Sequence, residues 1–355
     1  MLTRLFKQGM DFKCIGSKCI DSCCTGWDIT FDKGTYENLL QDPCFKKTMG
    51  EYAYINDNSY IPTINYGIIN LTNDGRCPFL DRDDLCNLQK KRGEDELSNV
   101  CALYPRYYNT VDGVYEESLS LACLEATEKL LFGDPLEIIE VDRGPKRDVV
   151  MQNIKTQADD NESSGIKHLY DFRKLVFGLI RSETHTFDEK LGMLMTFHEY
   201  IEGMDEDKLK ATLESYDFIS SKKTTTGIDE SIYRKLVDFL KRVGKSEHIE
   251  LDDLICECIK DSNYDKLNLD KLSSIDRIMS NYLIHQMFKD LYPFITMHNK
   301  MDSFQYLLKK VQILRLLIAY DGHFDDKRVA RIIQMYSKGL EHHATFHYEL
   351  EDMIL

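Results

Sequence analysis

The sequence predicts an α+β protein in two unequal parts, a small cysteine-rich α/β domain followed by a mostly α-helical bundle domain. Three observations lead there. Nine of the eleven cysteines fall within the first 123 residues, whereas all ten histidines begin at His168. An Asp-Gly pair at 112–113 stands between β-prone runs, a strong hairpin signal. Beyond residue 165 the apolar residues recur at three- and four-residue intervals almost without interruption. The expected boundaries are residues 1–142 for the cysteine-rich domain, 143–165 for a linker and 166–355 for the helical domain.

In the first part, WDITF (27–31) reads as a strand and KGTYENLL (33–40) as a short helix. YIPTINYGIINL (60–71) has the alternation and the proline of an edge strand. CPFLDRDDLCNLQ folds back as a hairpin or tight loop that returns Cys77 towards Cys86. YYNTVDGVYEESLSL (107–121) is the hairpin, and LEATEKLLFG (124–133) is a helix stopped by Gly133 and Pro135. The polar run RGPKRDVVMQNIKTQADDNESSG (143–165) supplies the linker. Helices are then expected over 171–182, 190–202, 231–243, 273–292, 303–320 and 328–343. In SFQYLLKKVQILRLLIAY the residues Phe304, Leu307, Leu308, Val311, Leu314, Leu317 and Ile318 keep the spacing of a bundle helix.

Composition excludes several function classes. With 43% hydrophobic and 30% charged residues the chain is not disordered. Its formal charge of −15, from 60 acidic against 45 basic residues, opposes binding to a phosphate backbone, so no nucleic-acid partner is expected. No run reaches about 18 consecutive apolar residues, which argues against a membrane partner. The opening MLTRLFKQGMDFKC has no apolar core of a secretory signal. The expectation is a soluble, cytoplasmic protein, where reducing conditions disfavour disulfides.

The segment FKCIGSKCIDSCCTGWDI packs four thiols into eleven positions. A single buried cysteine is usually an inert small hydrophobe, and that reading fits Cys44, Cys256 and Cys258. A cluster needs another reason. Because no histidine accompanies it, an all-thiolate site is indicated, either zinc or an iron–sulfur cluster. A redox switch and purely structural thiols stay open beside these. In an extended stretch successive side chains point apart, so of Cys23 and Cys24 one can ligate while the other packs or serves a second metal.

The runs F-K-C-I-G-S-K-C-I-D-S-C-C-T-G-W-D-I, G-R-C-P-F-L-D-R-D-D-L-C (75–86), L-S-N-V-C-A-L-Y-P-R (97–106) and S-L-S-L-A-C-L-E-A (118–126) resemble the flagellin lysine-N-methylase family. The first half is also similar to a wider group of cysteine-rich proteins regarded as iron- or zinc-chelating. The resemblance implies a protein-lysine N-methyltransferase that acts on flagellin, with S-adenosylmethionine as donor and a [4Fe-4S] cluster. It supplies a pool of metal ligands, Cys14, Cys19, Cys23, Cys24, Cys77, Cys86, Cys101 and Cys123, of which one cubane needs four. Radical S-adenosylmethionine enzymes typically show Cys-x3-Cys-x2-Cys; Cys19 and Cys23 begin that pattern, but Gly26 stands in the third place. The competing function is a zinc- or iron-binding redox-sensing or protein-interaction module without catalysis.

No G-x-G-x-x-G fingerprint follows a strand, so a donor must bind by other means. Arg106 is the candidate for its carboxylate, through bidentate hydrogen bonds, and Trp27 for stacking on its adenine. The bland readings are an ion-paired arginine and an apolar anchor. An ammonium has no lone pair, so methylation also needs a group to receive a proton. Tyr104, Tyr107 and Glu117 are the candidates, with Tyr108 and Glu116 beside them; in a chain with 20 tyrosines the bland reading of each is packing. His343 and His347, one helical turn apart, are read as solvated rather than metal-binding.

Overall fold

The computed structural model describes residues 1–26, 29–57, 62–147, 149–157, 166–218, 226–246, 248–294, 297 and 299–354. Its strands are β1 (Leu2–Phe6), β2 (Ile29–Phe31), β3 (Ala53–Ile55), β4 (Gly67–Ile69), β5 (Arg106–Val111), β6 (Val114–Leu119), β7 (Ile138–Asp142) and β8 (Asn153–Ile154). They form a five-stranded sheet in the order β7-β1-β6-β5-β8 and a three-stranded sheet in the order β2-β4-β3. The helices of the first part are α1 (Lys33–Gln41), α2 (Lys46–Tyr52), α3 (Pro62–Asn65), α4 (Asn87–Arg92), α5 (Asn99–Leu103) and α6 (Leu124–Leu131). Those of the second are α7 (Leu169–Arg181), α8 (Phe187–Ile201), α9 (Glu206–Ser215), α10 (Glu230–Val243), α11 (Ile249–Asp261), α12 (Asp276–Lys289), α13 (Lys300–Asp321), α14 (Asp326–Gly339) and α15 (Ala344–Asp352). The protein is thus mixed α+β with a mostly helical second part. No helix among the described residues is long and apolar enough to cross a membrane.

The Asp-Gly hairpin is present. Asp112 and Gly113 take φ of 53° and 78°, the left-handed pair that a two-residue hairpin turn requires. The Asp112 carboxylate also accepts the Thr156 backbone N–H at 2.7 Å and its hydroxyl at 2.9 Å. That contact holds β8 in parallel register beside β5. A stretch read as linker therefore contributes a strand to the sheet.

Residues 60–71 depart from expectation. Tyr60 and Ile61 lie outside the described residues, Pro62–Asn65 form α3, and only Gly67–Ile69 pair as a strand. That strand is central, not an edge. Proline's fixed φ and missing N–H suit the first helical turn as well as they suit an edge strand. Gly67 is required by packing, since a Cβ there would lie 2.2 Å from the Tyr36 ring.

The apolar cores are distributed differently from the boundaries expected at 142 and 166. One core runs from the five-stranded sheet and α6 into the bundle, joining Phe6, Leu119 and Leu130 to Phe172, Leu283 and Phe288. A second, smaller core lies under the three-stranded sheet and includes Phe31, Phe45, Met49, Ile69 and Phe79. The sheet seats on α12, where the Phe6 and Phe288 rings are 4.8 Å apart. The Asn109 side chain donates to the Lys289 carbonyl at 2.8 Å.

The joint contains a buried ion pair. Arg173 Nη1 donates to both Glu116 oxygens at 2.7 and 3.0 Å, and Nη2 donates to the Phe288 carbonyl at 3.2 Å. Both side chains are almost wholly buried, so removing one partner strands the other's charge. Arg173→Met should lower unfolding free energy by about 3–5 kcal/mol, and adding Glu116→Leu should recover a large part of it, measured by urea unfolding.

Two buried histidines give the fold an acid sensitivity. His198 donates from Nδ1 to the Leu194 carbonyl at 2.7 Å and meets the Tyr292 hydroxyl with Nε2 at 2.6 Å. His285 donates from Nε2 to the Leu119 carbonyl at 2.8 Å. Burial pushes each down to about 4. The unfolded chain takes up these protons first, near the ordinary histidine value of about 6.5. Stability should therefore fall as pH drops from about 6.5 towards 4, by up to about 3 kcal/mol per histidine. Denaturant titrations across that range should show the slope, and it should lessen in His198→Phe.

Candidate metal centre and adjoining cavity

The motif cysteines gather in two neighbourhoods rather than at one point. Cys24, Cys77, Cys86 and Cys101 all belong to the smaller core or pack against it. Cys123, the N-cap residue of α6, packs on the larger core instead. Its thiol lies within electrostatic reach of Cys19, Cys23 and Cys14 on the N-terminal loop. The vicinal pair straddles the two groups, with the Cys23 and Cys24 sulfurs 4.0 Å apart. No three His, Cys, Asp or Glu side chains among the described residues converge closely enough to hold an ion as they stand, and no disulfide joins the cysteines. Burial pushes the thiols of Cys77, Cys101 and Cys123 up to about 12. Cys23 moves the other way, lowered by the hydrogen bond to Cys24 and by the Lys338 ammonium. Cys258 is buried in the bundle, while Cys44 and Cys256 are exposed.

One carboxylate places the loop. Asp21, between Cys19 and Cys23, accepts from Arg331 at 2.8 Å, Gln334 at 2.9 Å and Lys338 at 2.5 Å on α14, and meets His248 Nε2 at 3.0 Å. Lys338 also donates to the Ser22 carbonyl at 3.1 Å. Burial alone would raise this carboxyl, but His248, Lys338 and Gln334 hold it far below the usual carboxylate range. The loop is thereby fixed to a helix more than 300 residues distant in sequence.

Beside the loop lies a cavity of about 1030 Å³, the upper end of the size range of cofactor and ligand sites. Its wall combines the Leu103–Tyr107 segment, α12, α13 and the α14–α15 turn. Tyr104, Arg106 and Tyr107 all line it. Burial holds the Tyr104 phenol well above its usual range, reinforced by Cys123 and Cys23, so this cavity-lining residue is also in electrostatic reach of the cysteine loop. Arg106 donates to the Phe12 carbonyl at 3.1 Å and pairs with Glu117 at 3.6 Å. Glu117 itself lies outside the cavity wall. It accepts from Tyr108 at 2.9 Å and from Arg143 at 2.9 and 3.0 Å. Trp27 lies outside the described residues.

The cavity also exposes groups that the sequence did not single out. Asp290, deep in the protein yet 29% exposed to the space it lines, pairs with Lys289, whose ammonium lies 5.5 Å from the centre of the Tyr107 ring. Burial would raise the Asp290 carboxyl, but Lys289 and Lys310 keep it below its ordinary value. Lys310 pairs with Glu341 at 2.9 Å and donates to Gln286 Oε1 at 3.0 Å, while the Tyr282 hydroxyl donates to Glu341 at 2.7 Å. His285 Nδ1 and Gln286 Nε2 are buried without a hydrogen-bond partner. His343 and His347, both half-buried, line the cavity. His347 Nε2 donates to the Glu341 carbonyl at 2.8 Å, and Nδ1 contacts the Tyr306 hydroxyl. A signal was available: the helix containing NYLIHQMFKD is buried on every side, and polar residues inside such a helix face either a partner or a cavity.

Thiol-rich loop, buried ion pairs and cavity together describe an α+β protein with a candidate ligand site beside a cluster of cysteines. Comparison with known proteins narrows this. Residues 173–355, just over half the chain, match the family described as FliB lysine N-methylase C-terminal domain, and the chain belongs to the lysine N-methylase family. Proteins named Lysine-N-methylase from Salmonella choleraesuis and Salmonella typhimurium are each 39% identical over 129 residues, covering 35% of this chain and 31% of theirs. Flagellar biosynthetic protein FliU of Salmonella muenchen is 40% identical over 128 residues, covering 35% of this chain and 73% of its own length. The chain thus aligns with about a third of the length of the two lysine-N-methylases. No solved structure matches.

The Asp21 contacts predict a local effect. Asp21→Ala should destabilise the protein by about 3 kcal/mol and speed amide exchange over residues 14–26 more than elsewhere, measured by hydrogen-exchange mass spectrometry.

Proposed function

We propose that this chain is an S-adenosylmethionine-dependent protein-lysine N-methyltransferase acting on flagellin, and that it depends on a [4Fe-4S] cluster. The observation that carries the proposal is the cavity, which has thiols behind one wall and an alkylammonium cradle in another. Lys289 already rests there between the Tyr107 ring and Asp290, the combination of aromatic face and carboxylate that binds an ammonium. A substrate lysine has the same chemistry.

Cys14, Cys19, Cys23 and Cys123 are the residues that would hold the cluster. Their donor chemistry fits, since thiolates are the usual ligands of such clusters; their sulfurs would have to be drawn together as metal binds, because they do not converge beforehand. A bound cluster would supply either an iron that takes amino and carboxylate groups or a single electron. Arg106 lines the same cavity and is placed to pair with a donor carboxylate.

In the transfer the sulfonium–methyl bond breaks, a nitrogen–methyl bond forms and the amine loses a proton. Asp290 lines the cavity, where it pairs with Lys289, and takes the role that sequence suggested for Glu117, which lies outside the cavity wall; a substrate ammonium would displace Lys289 from it. Tyr104 and Tyr107 shield the reacting groups from water and orient the amine. Anaerobically prepared, iron-loaded protein with S-adenosylmethionine and flagellin should add methyl groups to flagellin lysines, read by peptide mass spectrometry. Asp290→Asn should slow the reaction about 10²–10⁴-fold. S-adenosylhomocysteine as product would indicate polar displacement, and 5′-deoxyadenosine radical cleavage. Iron-replete protein that binds flagellin and never methylates it would overturn the proposal.

A further inference from the structure

Among the described residues, Lys289, Lys310 and Lys338 are the lysines that line the cavity, and their ammonium groups are held very differently. Lys338 donates to the Asp21 carboxylate and to the Ser22 carbonyl at 3.1 Å. Lys310 is tied to Glu341 at 2.9 Å and to Gln286 at 3.0 Å, and its side chain is only 4% exposed. Lys289 has a single acceptor among the described residues, the Asp290 carboxylate, and its side chain is 23% exposed. An ammonium carries three N–H donors, so most of this one is open to whatever fills the cavity.

Its place is fixed from the backbone outward. Lys289 is the last residue of α12, and its carbonyl accepts the Asn109 side-chain amide at 2.8 Å. Asn109 lies on β5 together with Tyr107, whose ring centre is 5.5 Å from the Lys289 ammonium. The same join between β5 and α12 therefore holds both the amine and the aromatic face it rests on. Arg106, the candidate partner of the donor carboxylate, stands next to Tyr107 in the same wall. Lys289 thus occupies, as part of the chain, the position that a substrate lysine would take. An amine held there needs no encounter step before transfer.

We propose that Lys289 is itself a modification site, methylated on Nζ by the same chain that carries it. This rests on the reading of the cavity as the site of methyl transfer. In the step the sulfonium–methyl bond breaks with its electron pair left on sulfur, and the Lys289 nitrogen forms the new bond to the methyl carbon. The proton that the ammonium gives up passes to Asp290 and from there to water. The product keeps its positive charge while an N–H donor is replaced by a methyl group, a form of lysine that an aromatic face accommodates well. Lys310 and Lys338, each committed to two acceptors, stay unmodified.

The experiment incubates the full-length, iron-loaded wild-type chain with S-adenosylmethionine carrying a trideuterated methyl group, with and without flagellin, and maps the label by peptide mass spectrometry. Label should appear at Lys289 in the absence of flagellin, ahead of Lys310 and Lys338, and should be lost from that peptide in Lys289→Arg. Its initial rate per chain should not change with protein concentration. Protein analysed directly after purification should already carry unlabelled methyl at part of its Lys289, a readout independent of the loaded enzyme's activity and of any variant. Label at Lys289 with none on flagellin would leave this site standing and remove flagellin as substrate. Labelled flagellin with Lys289 unmodified, before and after incubation, would overturn the inference and leave the proposed function in place. Label on neither would overturn both, and a rate per chain that rises with protein concentration would overturn transfer within one chain.

Discussion

The Asp21 carboxylate is nine-tenths buried and surrounded by Arg331, Lys338, Gln334 and His248. Taking such a charge out of water costs several kcal/mol, and only close, well-directed partners offset it. A lone surface ion pair would leave the cysteine loop loose. Four partners on two elements do not. The position of Cys19 and Cys23 relative to the cavity depends on that concentration of charge, and so does the wall formed by Lys338 and Tyr104.

The same logic governs the cavity. Lys310 and Glu341 are both nearly excluded from solvent, and each is held charged by the other: Glu341 lies well below the carboxylate range and Lys310 above its usual value despite burial. Replacing such a pair with apolar residues is often neutral or stabilising, so fold stability alone does not account for it. Both residues line the cavity, where fixed charges act without reorganising when charge changes inside. The lysine cradle of Tyr107 and Asp290 sits beside this rigid pair. The three-stranded unit, in contrast, is built from small elements around its own apolar core, with Cys77 inside it.

Local signals in the sequence were sufficient for much of the fold. Asp112-Gly113 identifies its hairpin because the turn geometry depends on those two residues alone. The long bundle helices declare themselves by periodicity, and α9, α11 and α15, short or acidic, do so less clearly and were not expected. Residues 60–71 misled because Pro62 suits two different local structures. The ordered cysteine motifs of the first 130 residues carried the family resemblance, while the family match itself falls on residues 173–355, where pattern gave only helical character. Asp21, Asp290 and Glu341 stayed hidden for a single reason: each acquires its role from partners far away in the chain, or on an adjoining helix, and no spacing rule connects Asp21 to Lys338.

The central claim is that the cavity binds the methyl donor. Equilibrium dialysis of radiolabelled S-adenosylmethionine with metal-loaded, full-length protein tests it most directly, using wild type beside Ala344→Trp. Ala344 is an exposed residue lining the cavity, so a tryptophan there fills space without entering either core. The account predicts saturable binding to wild type and its loss, with metal content unchanged, in the variant. Equal binding to both would place the donor elsewhere and contradict it.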